Sequence, residues 1–267
     1  MPFTSPGFRF GLLGPLQVMH GNSLVPITAP KHRVVLTILA INVGRPVSAD
    51  RIIEELWQGL EPVYARKTLQ GYVWRLRRVL GQHLRTRAGS YELYDVWETD
   101  AARFERMLLD SRQAMEARHP TLARFRLAAA LALWRGPALT DVPTSPMIQA
   151  HADRLEEARL LAVEARLQAD IELGRHAEVV LELRELTVAH PLREALHALL
   201  MLALYRSGRQ ADALSAYGRL RMTLVREHGL EPGRSVRELH RCILAADPTL
   251  DRLDMIAQWI PSSSWKI

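Results

Sequence analysis

Residues 65–81 read ARKTLQGYVWRLRRVLG, and this run decides how the rest of the chain is to be taken. On a helix, Leu69, Val73, Leu76 and Leu80 recur at three-to-four spacing and form one buried stripe. Lys67, Gly71, Trp74, Arg75 and Arg78 then fall on or near the opposite side. That opposite side is basic: from Arg66 to Arg87 the chain carries seven positive residues (Arg66, Lys67, Arg75, Arg77, Arg78, Arg85, Arg87) and no Asp or Glu. A helix with an apolar back and a front of Arg, Gln and Thr is what the major groove of DNA accepts. An Arg-rich face in an Arg-rich protein also serves as a plain solvated surface, so the flanking segments have to decide between the two.

Upstream, Phe8–Leu13, Leu16–Met19 and Leu24–Ile27 are short apolar runs parted by Gly14-Pro15 and His20-Gly21-Asn22, a pattern that predicts a small antiparallel meander. Pro30 opens a helix whose buried stripe is Val34, Val35, Ile38, Leu39 and Ile41, and Gly44 with Pro46 stops it. Ser48 is suited to cap a second helix, Ala49–Trp57, with Asp50 in its first turn. Gly59 and Pro62 break that helix before the basic one begins. Downstream, Leu84–Arg87, a turn at Ala88-Gly89-Ser90 and Tyr91–Val96 predict a hairpin. Strands, three helices and a closing hairpin make a winged helix-turn-helix. The third helix then reads the groove, and the hairpin carries Arg85 and Arg87 to neighbouring phosphates or the minor groove.

From Asp100 the pattern turns to nearly continuous amphipathic helix, at Ala101–Ala117, Leu122–Leu133, Ile148–Leu173, Ala177–Ala189, Leu192–Ser207, Gln210–His228 and Ser235–Ala246. Gly136–Pro146 is the one long loop in this half. Leu173-Gly174-Arg175-His176-Ala177-Glu178 recurs as Ser207-Gly208-Arg209-Gln210-Ala211-Asp212. The interval is about 34 residues, the tetratricopeptide period. Stacked helix pairs of that kind bind protein partners; an ordinary bundle that stiffens or dimerises the DNA module is the plainer alternative.

Composition agrees with this division into residues 1–98, a winged helix with a small sheet, 99–250, an all-α tetratricopeptide-like half, and a tail, 251–267. The 267 residues are 48% hydrophobic, enough for packed cores. Net charge is +6, and the first 98 residues hold twelve Lys or Arg against seven Asp or Glu, so the excess sits in the N-terminal third. No run of about eighteen apolar residues occurs and the N-terminus lacks a signal pattern, so no membrane partner and a cytoplasmic location are expected. Cys242 lies in an apolar helical pattern and reads as a packed thiol. There is no phosphate loop, no His-Glu-x-x-His and no cysteine pair. His176, His190 and His197 read as structural, so no catalytic residue, metal or cofactor is expected.

Several motifs carry a resemblance. In the first half they are Leu13-Gly14-Pro15-Leu16, Pro30-Lys31-His32-Arg33, Val47-Ser48-Ala49-Asp50-Arg51-Ile52 with Leu56-Trp57, and the run Thr68 to Leu80. In the second they are Leu133-Trp134-Arg135-Gly136, His190-Pro191-Leu192-Arg193-Glu194, Leu204 to Gln210, and Glu231-Pro232-Gly233. Their order and spacing, over about Phe8 to Leu250, resemble the antibiotic regulatory proteins of actinomycetes, which join an OmpR-type winged helix to a bacterial transcriptional activation domain.

That resemblance implies an activator of secondary-metabolite gene clusters. Such a protein binds direct repeats beside the promoter −35 element and holds RNA polymerase there. Trp74 departs from the pattern, where a small Ser is common, and so does the wing, where Glu92 replaces a basic residue. Aligned by Leu76 with helices of that family, Gln70, Gly71 and Arg75 fall where base edges are approached. Arg66, Lys67, Thr68, Tyr72, Trp74, Arg77 and Arg78 fall to phosphate, with Arg85 and Arg87 from the wing. For Tyr72 and Trp74 the competing role is partial burial against the first two helices. Direct repeats call for two protomers in the same orientation, a head-to-tail pair on double-stranded promoter DNA. An adaptor of tetratricopeptide type and a repressor with the same DNA contacts remain the alternatives.

Overall fold

The computed structural model describes residues 7–96 and 98–251. The residues that carried the tail expectation, 252–267, lie outside them. Compactness divides the chain into one unit built from residues up to 106 together with 130–159, and another built from 107–129 and from 160 onward.

The first unit opens with strands β1 (Phe8–Gly11), β2 (Gln17–His20) and β3 (Ser23–Leu24), an antiparallel sheet in that order. Phe8 pairs with His20 and Gly11 with Gln17. The expected third strand, Leu24–Ile27, is cut to two residues; Val25 donates to the Val18 carbonyl at 2.8 Å, and Pro26 has no N–H with which to continue. Helix α1 (Pro30–Ile41) is buried throughout Val34–Ala40 because two helices and a strand pack on it. Strand β4 (Val47–Ser48) follows, and Ser48 ends it by capping α2 (Ala49–Trp57), its hydroxyl accepting from Arg51 N at 3.2 Å.

Helix α3 (Ala65–Leu80) leads into the hairpin β5 (Leu84–Arg87) and β6 (Ser90–Leu93). The second sheet runs β4-β6-β5, with Val47 opposite Tyr91. The pairing of β4 escapes a sequence reading because two residues show no alternation. β6 stops at Leu93 rather than Val96, and Asp95, at φ +50°, shows why: a left-handed residue breaks the extended backbone.

Three helices come next, α4 (Asp100–Glu116), α5 (Pro120–Leu131) and α6 (Pro146–Glu172). The long loop between α5 and α6 is stitched to the start of the chain. Arg135 N donates to Leu13 O and Leu139 N to Gly14 O, both at 2.8 Å, and Arg135 Nη1 donates to Pro15 O. Asp141 accepts from Leu16 N at 2.8 Å and pairs with Arg33. Two motifs about 120 residues apart, Leu13–Leu16 and Leu133–Gly136, are thus one structural feature. Gly14, at φ +138°, is required there twice over, because a β-carbon would meet Arg135 Cβ at 3.0 Å. Buried Glu55 ties α2 to the first turn of α6 by accepting from Met147 N at 2.9 Å, and pairs with Arg51.

The second unit completes the chain with α7 (His176–Ala189), α8 (Glu194–Arg206), α9 (Gln210–His228) and α10 (Arg234–Leu244). Its core is Leu167, Ile171, Leu183, Leu199, Leu220 and Leu239 with their neighbours. Helix α8 is its axis: every residue of Ala195–Leu204 is buried, because α7, α9 and α10 all pack on it.

The repeat is structural. Gly174 and Gly208 take φ +79° and +73°. In each copy the following Arg N–H reaches back five residues, Arg175 to Asp170 O and Arg209 to Leu204 O, both at 2.9 Å. The pairs Arg175–Glu178 and Arg209–Asp212 repeat as well. Where the copies differ, Asp170 is buried and collects Arg124 from α5, Arg166 from α6 itself and Arg175 from the turn before α7. Cys242 is buried as expected, and burial pushes its thiol up from the ordinary range.

Candidate nucleic-acid interface

Helix α3 buries Ala65, Leu69, Val73, Leu76 and Leu80, the expected stripe with one further turn. Lys67, Gln70, Gly71, Trp74, Arg75 and Arg78 are exposed on the other side. The helix has no acid in its first turn and no side-chain cap, while Arg66 and Lys67 sit there against the positive end of the dipole. This arrangement costs helix stability and suits an anionic ligand. Arg77 and Arg78 in the last turn do match the dipole.

Gly71 is the sharper signal. Nothing lies within 4 Å of where its β-carbon would stand, so no packing constraint inside the fold calls for glycine. Mid-helix glycine costs about 1 kcal/mol relative to alanine. The glycine leaves the backbone of this exposed turn without a side chain over it.

The other expected contact residues separate by what they already hold. Among the described residues the side chains of Lys67, Gln70 and Arg75 make no hydrogen bond or ion pair. Trp74 is 58% exposed, and the Arg78 guanidinium lies 5.3 Å from its ring centre, so the two form one amphipathic pair at the surface. Arg66 pairs with Asp50 in the first turn of α2. Thr68 is half-buried and donates to the Tyr64 carbonyl at 3.1 Å. Arg77 bends back: its Nε donates to Leu84 O at 3.1 Å and its Nη2 to Thr86 Oγ1 at 2.8 Å, fastening α3 to the first strand of the wing. Tyr72 is half-buried, edge-on to His32 of α1 at 5.1 Å and stacked with Trp57 of α2 at 6.4 Å.

The wing turns on Ala88 and Gly89, both at positive φ, the two-residue hairpin geometry that matches strand twist. Arg85 lies flat over Tyr94, 3.4 Å from its ring centre. Arg87 pairs with Glu92 at 3.3 Å, and that carboxylate is only 4% exposed. The acid that departs from the family pattern is therefore covered by a neighbouring cation and not presented to solvent. Sequence reasoning missed His32, whose imidazole is lowered below the ordinary histidine range by burial and then by the charge of Arg75. Lys31 beside it is turned away, donating to Leu56 O and lying 5.8 Å from the Trp57 ring. Among the described residues no group of three His, Cys, Asp or Glu stands together as metal ligands, and no helix is long and apolar enough to cross a membrane.

An OmpR-type winged helix with a cationic third helix, joined to a helical half, defines a class of bacterial transcription regulator. Residues 25–90 match the family model for the transcriptional regulatory protein C-terminal domain, and residues 99–244 match the bacterial transcriptional activator domain. The chain belongs to the antibiotic regulatory protein family of transcriptional activators. It is 42% identical to the regulatory protein DnrI of Streptomyces peucetius, over 91% of this chain and 94% of that one. It is 40% identical to the regulatory protein AfsR of Streptomyces griseus over 94% of this chain, which spans only 26% of AfsR. The solved structure of Mycobacterium tuberculosis EmbR in complex with a low-affinity phosphopeptide superposes with a TM-score of 0.87 at 37% identity, over 94% of this chain and 69% of that one.

Proposed function

We propose that this protein switches on a secondary-metabolite gene cluster by binding direct repeats beside the promoter −35 element and holding RNA polymerase there. Residues 1–98 supply the DNA contacts and 99–250 serve as the activation half. The observation that carries this reading is the outward face of α3, where Lys67, Gln70 and Arg75 stand unengaged around an exposed glycine.

Arg75 grips a guanine and Gln70 an adenine, with Gly71 letting the backbone close on the groove. Lys67 and the Trp74–Arg78 pair hold phosphate. Arg66, Thr68, Tyr72 and Arg77 have partners within the fold, so their part is to brace this surface, with contact to the backbone secondary. Arg85 and Arg87 also hold partners, Tyr94 and Glu92, but lie on the wing itself and bring it to the flanking phosphates. Tandem sites require two protomers facing the same way, a head-to-tail pair on DNA. The work takes place in the cytoplasm, with no cofactor.

Selection of binding sites from a random DNA pool tests this, followed by titration over a salt series. The expected outcome is a tandem repeat. Arg75→Ala should relax one base position by about 1–3 kcal/mol. Lys67→Ala should weaken all sequences alike and lower the salt slope by about 1. A selected palindrome would overturn the head-to-tail arrangement, and binding indifferent to salt would overturn the interface. Transcription in vitro with purified polymerase must rise on adding the protein; a fall would make it a repressor.

A further inference from the structure

Three helices meet beneath the base-reading face. His32 stands in the first turn of α1, Trp57 at the end of α2, and Tyr72 on α3 between them, its ring 5.1 Å from His32 and 6.4 Å from Trp57. Tyr72 and Arg75 are three residues apart on one helix, hence neighbours on its surface. Burial and then the Arg75 guanidinium both disfavour the protonated imidazole. What the geometry shows His32 offering Tyr72 is an aromatic ring.

We propose that His32 is a positioning residue for base reading: its ring fixes Tyr72 against α1, and with it the turn of α3 from which Arg75 reaches the groove. A base contact is stronger when the turn that carries it is set before DNA arrives. The inference rests on Arg75 being the base-reading residue proposed above.

The experiment uses the full chain and the DNA site obtained by selection, with four proteins: wild type, Arg75→Ala, His32→Ala and His32→Phe. His32→Ala is expected to lose about five- to tenfold of the discrimination at the base position that Arg75→Ala relaxes. Its salt slope should stay at the wild-type value, since no phosphate contact is removed. His32→Phe, which keeps a ring and removes the titratable nitrogens, is expected to restore the discrimination. The circular dichroism of both variants should match wild type. If His32→Phe instead weakens every sequence alike and lowers the salt slope, His32 touches phosphate itself and the positioning role is overturned. If Arg75→Ala relaxes the position while His32→Ala does not, the inference about His32 fails alone. If Arg75→Ala leaves the preference intact, the base-reading assignment fails and this inference with it.

Discussion

Replacing Gly71 with alanine separates what α3 needs to fold from what it needs to bind. The position is the seventh of sixteen in the helix, it is exposed, and no heavy atom lies within 4 Å of the new methyl group. The change therefore adds no clash and removes glycine's excess backbone entropy, which stabilises a helix interior by about 0.8–1.0 kcal/mol. For a unit of this size that corresponds to a rise of roughly 2–4 °C in the midpoint of thermal unfolding. Binding should move the other way. The methyl group would stand between the helix backbone and the base edges, holding Gln70 and Arg75 away from bidentate geometry, where each good pair is worth about 1–3 kcal/mol. The expected result is a protein that melts later, followed by circular dichroism, and binds its selected site at least about tenfold more weakly, followed by fluorescence anisotropy. A variant that melts later and binds with unchanged affinity would refute the placement of this helix face in the groove. A variant that melts earlier would refute the packing itself, since it would mean that the space is occupied.

Asp170 is 2% exposed and shared by Arg124, Arg166 and Arg175, so Asp170→Ala should destabilise the second unit by about 3–5 kcal/mol in urea unfolding; a loss under 1 kcal/mol would show that these pairs are not what holds α5, α6 and α7 together. His151 is pushed down to about 4 by burial, with Arg154 adding to the effect. Between that value and about 6.5 the unfolded chain binds a proton that the folded chain excludes, so stability falls as pH drops, by about 2 kcal/mol at pH 5. His151→Leu should flatten this dependence between pH 7 and pH 5, and an unchanged slope would show that other groups set it.

The exposed face of α3 was legible because the helix is periodic. Four apolar residues at helical spacing fixed which way α3 faces, and the faces of Lys67, Gly71, Trp74, Arg75 and Arg78 followed from chain geometry alone. The role of each cation was not legible, because it depends on neighbours remote in sequence. Arg77 looked as available as Arg75, yet the return of β5 places the Leu84 carbonyl and Thr86 hydroxyl within its reach. Arg66, read as a phosphate contact, stands beside Asp50 in the first turn of α2, an acid 16 residues upstream. Glu92 stood out in the sequence only as a departure from the family pattern, whereas in the fold it is buried and paired with Arg87 of the opposite strand.

The amino-acid order by itself determined the elements and their faces: helices from periodicity and caps, turns from glycine and proline, and the repeat from equivalent residues about 34 apart. Those are local matters, decided by backbone geometry over a few residues. Only the tertiary structure decided that the Leu133–Gly136 motif is bound to Leu13–Leu16 and that a two-residue strand at Val47 joins the wing. It also decided that His32 of α1 packs edge-on against Tyr72 of α3. Each depends on groups from distant segments satisfying one another's hydrogen bonds and covering one another's apolar surface, and no spacing along the chain encodes which partner that is.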